Sequence, residues 1–159
     1  MRIRLLAVGT RMPGWVEAAI ADYVRRLGPE FRLEIEEINL GKRGSGGGGD
    51  EARAVADEGR RMLIAIDPDE YVVALEVRGK SFGTEELAKW LGQRLQEGRD
   101  VALLIGGPDG LAAECRKRGN LHWSLSPLTL PHALVRIVVV EQLYRAMSIL
   151  KGHPYHRGA

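Results

Sequence analysis

Two short runs, Tyr71–Val77 (YVVALEV) and Val101–Ile105 (VALLI), constrain this chain more than anything else in it. Glu76 is the sole charge in either. A strand with one wet face alternates apolar and polar residues; a strand that is apolar throughout must be covered on both faces, as in a parallel sheet between helices. The segment between the runs suits that covering role. After Thr84, Leu87, Leu91 and Leu95 recur on one helical face, and Gly98 ends the pattern.

The rest of the chain follows the same alternation. Arg2–Val8 reads as a buried strand ending at Gly9. Pro13 suits a first helical turn, Trp15, Ala19, Tyr23 and Leu27 recur at helical spacing, and Gly28-Pro29 stops the helix. Phe31–Leu40 alternates at Leu33-Glu34-Ile35-Glu36, as a strand does. Asp50 is placed to cap a helix to about Ile66, with Val55, Met62 and Leu63 on its buried side. Asp67-Pro68-Asp69 is a turn, Arg78–Gly83 a loop, Leu111–Arg118 a short helix, and His122–Leu125 a last strand. The C-terminal third carries two signals. Arg136–Val140 (RIVVV) has strand propensity, yet Leu134, Val138, Leu143, Met147 and Leu150 approximate a helical face between Pro131 and Gly152, and a long helix is predicted. The whole is an α/β domain, a mostly parallel sheet flanked by helices. Its 159 residues make one ordinary domain, residues 1–159, with no internal repeat.

Composition narrows the setting. No apolar run approaches the ~20 residues of a membrane span, and the N-terminal apolar stretch meets Arg11 too soon for a signal-peptide core. A single cysteine, Cys115, excludes an internal disulfide and a Cys-rich zinc site. A cytoplasmic protein, off the membrane and without a metal, is expected. The net charge of +2 argues against binding polyanions by bulk charge. After Glu141, however, no acidic residue follows, while Arg145, Lys151 and Arg157 do, with His153 and His156 among them. Such a cluster either holds phosphates or forms a solvated surface.

Generic motifs mostly fail. The glycine run Gly44–Gly49 satisfies the dinucleotide pattern G-x-G-x-x-G, but it follows the second strand rather than the first, and almost any glycine run would match. It is expected to be a mobile loop. Gly79-Lys80-Ser81 resembles the end of a phosphate-binding loop, but Ala74 stands where the first glycine is required. His153 and His156 lack a third metal ligand nearby, and Cys115 sits in a helical pattern as an inert thiol would. What remains is three loops beyond strand carboxyl ends, the usual ligand position in such sheets. They lie around Leu75–Gly79, at Ile105–Pro108, and at Leu125–His132. Gly106 and Gly107 would let backbone approach a ligand and adopt φ above zero. Leucines around Ser126 and Thr129 give apolar walls with a few polar groups. Tight turns packed on core leucines would read the same way.

Seven segments, in order, carry a resemblance to a known family. They are LAVG (Leu6–Gly9), YVRRL (Tyr23–Leu27), GKRG (Gly41–Gly44), LEVRGK (Leu75–Lys80), IGGPDGL (Ile105–Leu111), WSLSPLTLPH (Trp123–His132) and VEQLYRAMS (Val140–Ser148), before the closing His153-Pro154-Tyr155-His156-Arg157. Together they resemble the ribosomal large-subunit pseudouridine methyltransferase H family of the SPOUT superfamily. The resemblance implies a fold whose C-terminal part threads a deep trefoil knot, with S-adenosylmethionine bound in the knot. Carried over by segment, Leu75, Gly106 and Leu125, Ser126, Pro127, Leu128, Thr129 and Leu130 would line the cofactor site. It further implies a homodimer whose target site is shared between subunits, and methylation of N3 of a pseudouridine in large-subunit ribosomal RNA on the assembled ribosome. His153, His156 and Glu141 are candidates for the base that removes the N3 proton. Arg145, Tyr155 and Arg157 are candidates for holding the RNA, Tyr155 by stacking on a base. The family pattern departs in one place: a mixed polar segment is expected where this chain has its glycine run. A different SPOUT substrate, a ribosome-binding factor without activity, and a nucleotide-binding regulator are the rival readings.

Overall fold

The computed structural model describes residues 1–44 and 48–157. Half of the glycine run, Ser45–Gly47, lies outside the described residues, and with it the test of the expected mobile loop. The elements alternate as the sequence predicts. Strands are β1 (Arg2–Val8), β2 (Arg32–Ile38), β3 (Tyr71–Lys80), β4 (Val101–Ile105) and β5 (Leu121–Trp123). Helices are α1 (Gly14–Arg26), α2 (Gly48–Ala65), α3 (Thr84–Glu97), α4 (Ala113–Arg118) and α5 (His132–Leu150), followed by a 3-10 turn at Pro154–Arg157. The five strands form one parallel sheet in the order β2-β1-β4-β3-β5.

Strand alternation sorts the core into two layers. Ile3, Leu5 and Ala7 of β1 pack with Val16 and Ile20 of α1, Leu87 and Leu91 of α3, and Val139, Val140 and Leu143 of α5. Leu6 and Val8 pack on the other face with Met62 of α2 and Cys115 of α4. Both faces of VALLI are buried, as its composition requires.

Several boundaries differ from the sequence reading. Helix α2 begins at Gly48, so Asp50 lies within its first turn, where a negative charge still favours the amino end. Strand β3 runs through Lys80, taking half the predicted loop, because Lys80 returns to pair opposite Trp123. β5 stops at Trp123, and the Ser124 N–H turns to the Lys80 carbonyl. The predicted face of α1 is one position off: Val16 is buried and Trp15 is 57% exposed. RIVVV is helical because α5 lies between α1 and α3 on the sheet, and tertiary packing overrides strand propensity. Its buried residues are Arg136, Val139, Val140, Leu143, Ala146, Met147 and Ser148, whereas Leu134 and Leu150, expected on the buried face, are about half exposed.

The amino ends of the strands are closed by ion pairs. Buried Arg4 donates Nε and Nη2 to Glu70 at 2.8 and 2.6 Å and Nη1 to Glu36 at 2.8 Å. Glu70, also buried, accepts the Asp67 N–H at 2.8 Å. The Glu70 hydrogen bond holds the Arg4 guanidinium proton more tightly than usual, against the desolvation that opposes it. No helix among the described residues is long and apolar enough to cross a membrane.

Candidate functional site

At the carboxyl ends of the strands the loops enclose a cavity of about 570 Å³. Of the residues expected to hold a ligand, Leu75, Gly106, Leu125, Ser126, Leu128, Thr129 and Leu130 line it. Pro127 does not; it is exposed on the loop. The Ser126 hydroxyl accepts the Leu128 N–H at 3.0 Å, which fixes the turn. Among the described residues, the N–H groups of Leu125, Thr129 and Leu130 have no partner, so they are available to a ligand.

The glycines act differently from expectation. A Cβ at Gly106 would sit 2.5 Å from the Gly110 carbonyl carbon and 2.6 Å from the Leu111 nitrogen; one at Gly107 would sit 2.8 Å from Val8. Both serve close approach of the loop to itself and to β1. Positive φ, expected at Gly106 and Gly107, belongs to Gly110, at 84°.

Sequence reasoning flagged the loops that hold Glu76 and His132 without naming either as a site residue, and it missed Arg116. Glu76, Arg116 and His132 also line the cavity, with the ring of Trp123. His132 belongs to the quoted WSLSPLTLPH segment and could have been found there. Its pKa is lowered by burial and, secondarily, by the nearby Arg136, so its imidazole is neutral near pH 7. Arg136 is fully buried and ties the start of α5 across the sheet: Nη1 donates to Glu37 at 2.7 Å and Nη2 to the Gly9 carbonyl at 2.7 Å.

The C-terminal candidates form a second group. Tyr155 Oη lies 3.2 Å from Glu141 Oε1 and 3.3 Å from Tyr23 Oη. Its ring meets Tyr144 edge-on at 4.6 Å, with the Arg145 guanidinium over it at 4.8 Å. Burial, then the Tyr23 hydrogen bond, pushes the Tyr155 phenol well above its ordinary pKa. Arg145 donates Nε to Glu141 at 2.9 Å, which raises the guanidinium pKa. His156 Nδ1 lies 2.9 Å from the His153 carbonyl, and His153 and Arg157 are exposed. None of these residues lines the cavity. Glu141 follows His132 by nine residues on α5, a rise of roughly 14 Å. One chain therefore brings the ligand-pocket residues together and the tail residues together, but not the two groups. Among the described residues no cluster of three His, Cys, Asp or Glu could hold a metal.

A parallel α/β sheet with its cavity at the strand carboxyl ends has a small-molecule site where such sheets usually carry one. A family model for SPOUT methyltransferases matches residues 1–156. The chain belongs to the SPOUT methyltransferase family. At the level of particular proteins, it is 57% identical over 157 residues to ribosomal RNA large subunit methyltransferase H of Alkalilimnicola ehrlichii, covering 99% of both chains. It is 55% identical to the protein of that name from Thioalkalivibrio sulfidiphilus, again over 99% of both, and 52% identical to that from Pseudomonas aeruginosa, over 99% of this chain and 100% of the relative. A methylase family protein from Haemophilus influenzae shares the fold at 13% identity and a TM-score of 0.55, over 96% of this chain and 68% of that one.

Proposed function

We propose that this methyltransferase transfers the methyl group of S-adenosylmethionine to N3 of a pseudouridine in large-subunit ribosomal RNA, on the assembled ribosome in the cytoplasm, as a homodimer. The observation that carries the reading is the cavity, whose lining contains nearly all the residues that the family pattern assigns to the cofactor. Its residues fit that cofactor. About 570 Å³ suits a nucleoside with an amino-acid tail. Leucines 125, 128 and 130 offer apolar faces to adenine, and unpartnered N–H groups in the same loop suit its acceptor edge. Bound there, S-adenosylmethionine supplies a methyl group already activated on a sulfonium.

The loop crossing between β5 and α5 supports the expected knot. β5 is an edge strand, yet Arg136 near the start of α5 reaches Gly9 beyond β1, three strands away across the carboxyl ends of β3 and β4. We infer that this segment passes beneath the β3–α3 connection.

The chain's own residues must position the base and take its N3 proton. Of His153, His156 and Glu141, the glutamate is already engaged by Arg145 and Tyr155. A carbonyl only accepts, so the His156 Nδ1 carries the hydrogen toward His153, and Nε2 is the ring nitrogen left for the base role. His156 is the preferred base. Arg145 and Arg157 would hold phosphate or the developing negative charge, and Tyr155 would stack on the base. Because the tail stands away from the cavity of its own chain, the tail of one subunit is assigned to the cavity of its partner. The exposed Leu134 and Leu150 of α5 are suited to the subunit interface.

Calorimetric titration of the purified protein with S-adenosylmethionine tests the cofactor, and mass-spectrometric mapping of ribosomes incubated with both tests the substrate. Binding plus a new methylpseudouridine is expected. Binding with methylation elsewhere would assign another RNA, and no binding by folded dimer would move the assignment to a ribosome-binding factor without activity.

A further inference from the structure

Strand β3 leaves its ladder and returns. Val73, Ala74 and Leu75 pair with Leu121, His122 and Trp123, and then Lys80 pairs with the same Trp123, so residues 76–79 bulge out. A bulge of this kind re-aims side chains and is common beside active sites. Gly79 makes it sterically possible, since a Cβ there would lie 2.7 to 2.8 Å from backbone atoms of His122 and Trp123. The bulge brings Glu76 and Val77 to the cavity wall, and Glu76 is the one that carries a charge.

That carboxylate is held in place. Oε1 faces His122 Nδ1 at 2.5 Å, and Oε2 stands 3.8 Å from Arg116 Nε. Arg116 is itself fixed by donating Nη1 to the Leu111 carbonyl at 2.6 Å. The two neighbours occupy part of the acceptor capacity of a carboxylate, which offers about four lone-pair sites. Glu76 is the sole carboxylate among the described residues that line this largely apolar cavity. A charge in such a wall costs desolvation unless a ligand or neighbour completes its hydrogen bonds.

We infer that Glu76 accepts hydrogen bonds from the ribose hydroxyls of the nucleoside cofactor, with His122 and Arg116 as its positioning residues. The inference rests on the cofactor assignment proposed above. A fixed acidic group beyond a strand's carboxyl end is a general solution for a ribose diol, because both hydroxyls donate to it. The bulge, Gly79, His122 and Arg116 then have one common purpose, which is to hold an acceptor steady in the wall.

Titration of the full-length wild type, Glu76→Ala and Glu76→Gln with S-adenosylhomocysteine and with its 2′,3′-dideoxyribose analogue tests this, with thermal melts confirming that each variant is folded. For Glu76→Ala, affinity for S-adenosylhomocysteine should fall roughly tenfold or more, while affinity for the dideoxy analogue changes less than about twofold. Glu76→Gln keeps the side-chain shape and should show the same selectivity with a smaller loss, so it carries the test if the alanine variant does not fold. Equal losses for both ligands would place Glu76 against the ammonium group and overturn the inference, as would no loss for either. Failure of the wild type to bind S-adenosylhomocysteine would overturn the cofactor assignment itself, a result distinct from loss of selectivity in the variants.

Discussion

The two ends of the sheet differ in how their polar groups are used. At the amino ends Arg4, Glu70, Glu36 and Asp67 satisfy one another. At the carboxyl ends the loops are glycine- and proline-rich, several backbone N–H groups have no partner among the described residues, and Glu76 and His132 line open space. Polar groups that satisfy one another add to the stability of the fold; polar groups left over are available to a ligand. Substitutions at the amino ends should therefore change stability and leave binding alone, and those at the carboxyl ends should do the reverse.

The largest effect is expected at Glu70. Replacing it with alanine takes the only buried carboxylate from Arg4 and leaves the half-exposed Glu36 as its close partner; breaking a buried pair from one side costs about 3–5 kcal/mol. Urea unfolding should show that loss, while cofactor affinity measured well below the transition stays as in the wild type. A loss under about 1 kcal/mol would mean that water replaces Glu70 readily and that the amino ends are not the stabilising region.

The reverse case is Val135→Trp. Val135 projects from the second turn of α5 into the cavity wall, so a helix fixes the direction of the added ring. Affinity for S-adenosylmethionine should fall more than about 100-fold, roughly 2.7 kcal/mol, with only a small change in melting temperature. It is a cleaner block than a side chain at Gly106, which would strike the backbone at residues 110 and 111. Unchanged affinity would place the cofactor elsewhere.

The tail sharpens the contrast further, because it is neither end of the sheet. On the proposed assignment Tyr155→Ala lowers methylation of ribosomes by about tenfold, the scale of one lost base stack, and leaves the cofactor affinity of the dimer unchanged. A cofactor defect of similar size would move Tyr155 from the RNA to the cofactor pocket.

Much of this division was legible in the sequence. Apolar runs and helical spacing gave the element order, and the three loops chosen for their composition do meet at one cavity. What was hidden is long-range pairing. Arg4 sits in a segment read as a buried strand, but nothing nearby names Glu70, 66 residues away, as its partner, and Arg136 within RIVVV gives no sign that it reaches Glu37 and Gly9. Glu76 looked like a break in an apolar run because its partner His122 is 46 residues away. The face of α5 was misjudged for a related reason: a helix packed between two others and a sheet is buried on several sides, so no single stripe identifies its inner face.

The smallest predicted effect is the pH response of His132. Its folded pKa is lowered from the ordinary value of 6.5, first by burial and then by Arg136. As pH falls below 6.5 the unfolded chain takes up this proton while the folded chain still resists it. Its contribution to stability is thus complete above that value and declines as pH drops through the window beneath it. Comparing urea midpoints at pH 7.5 and about 5.5 in the wild type and in His132→Gln isolates this group, since other titrations are common to both. The wild type should lose more than the variant. Equal slopes would mean that the ring is hydrated in the cavity mouth. The wall already holds the Arg116 guanidinium, balanced by Glu76 at 3.8 Å, so a His132 ring that stays neutral adds no uncompensated positive charge to oppose a cationic sulfonium.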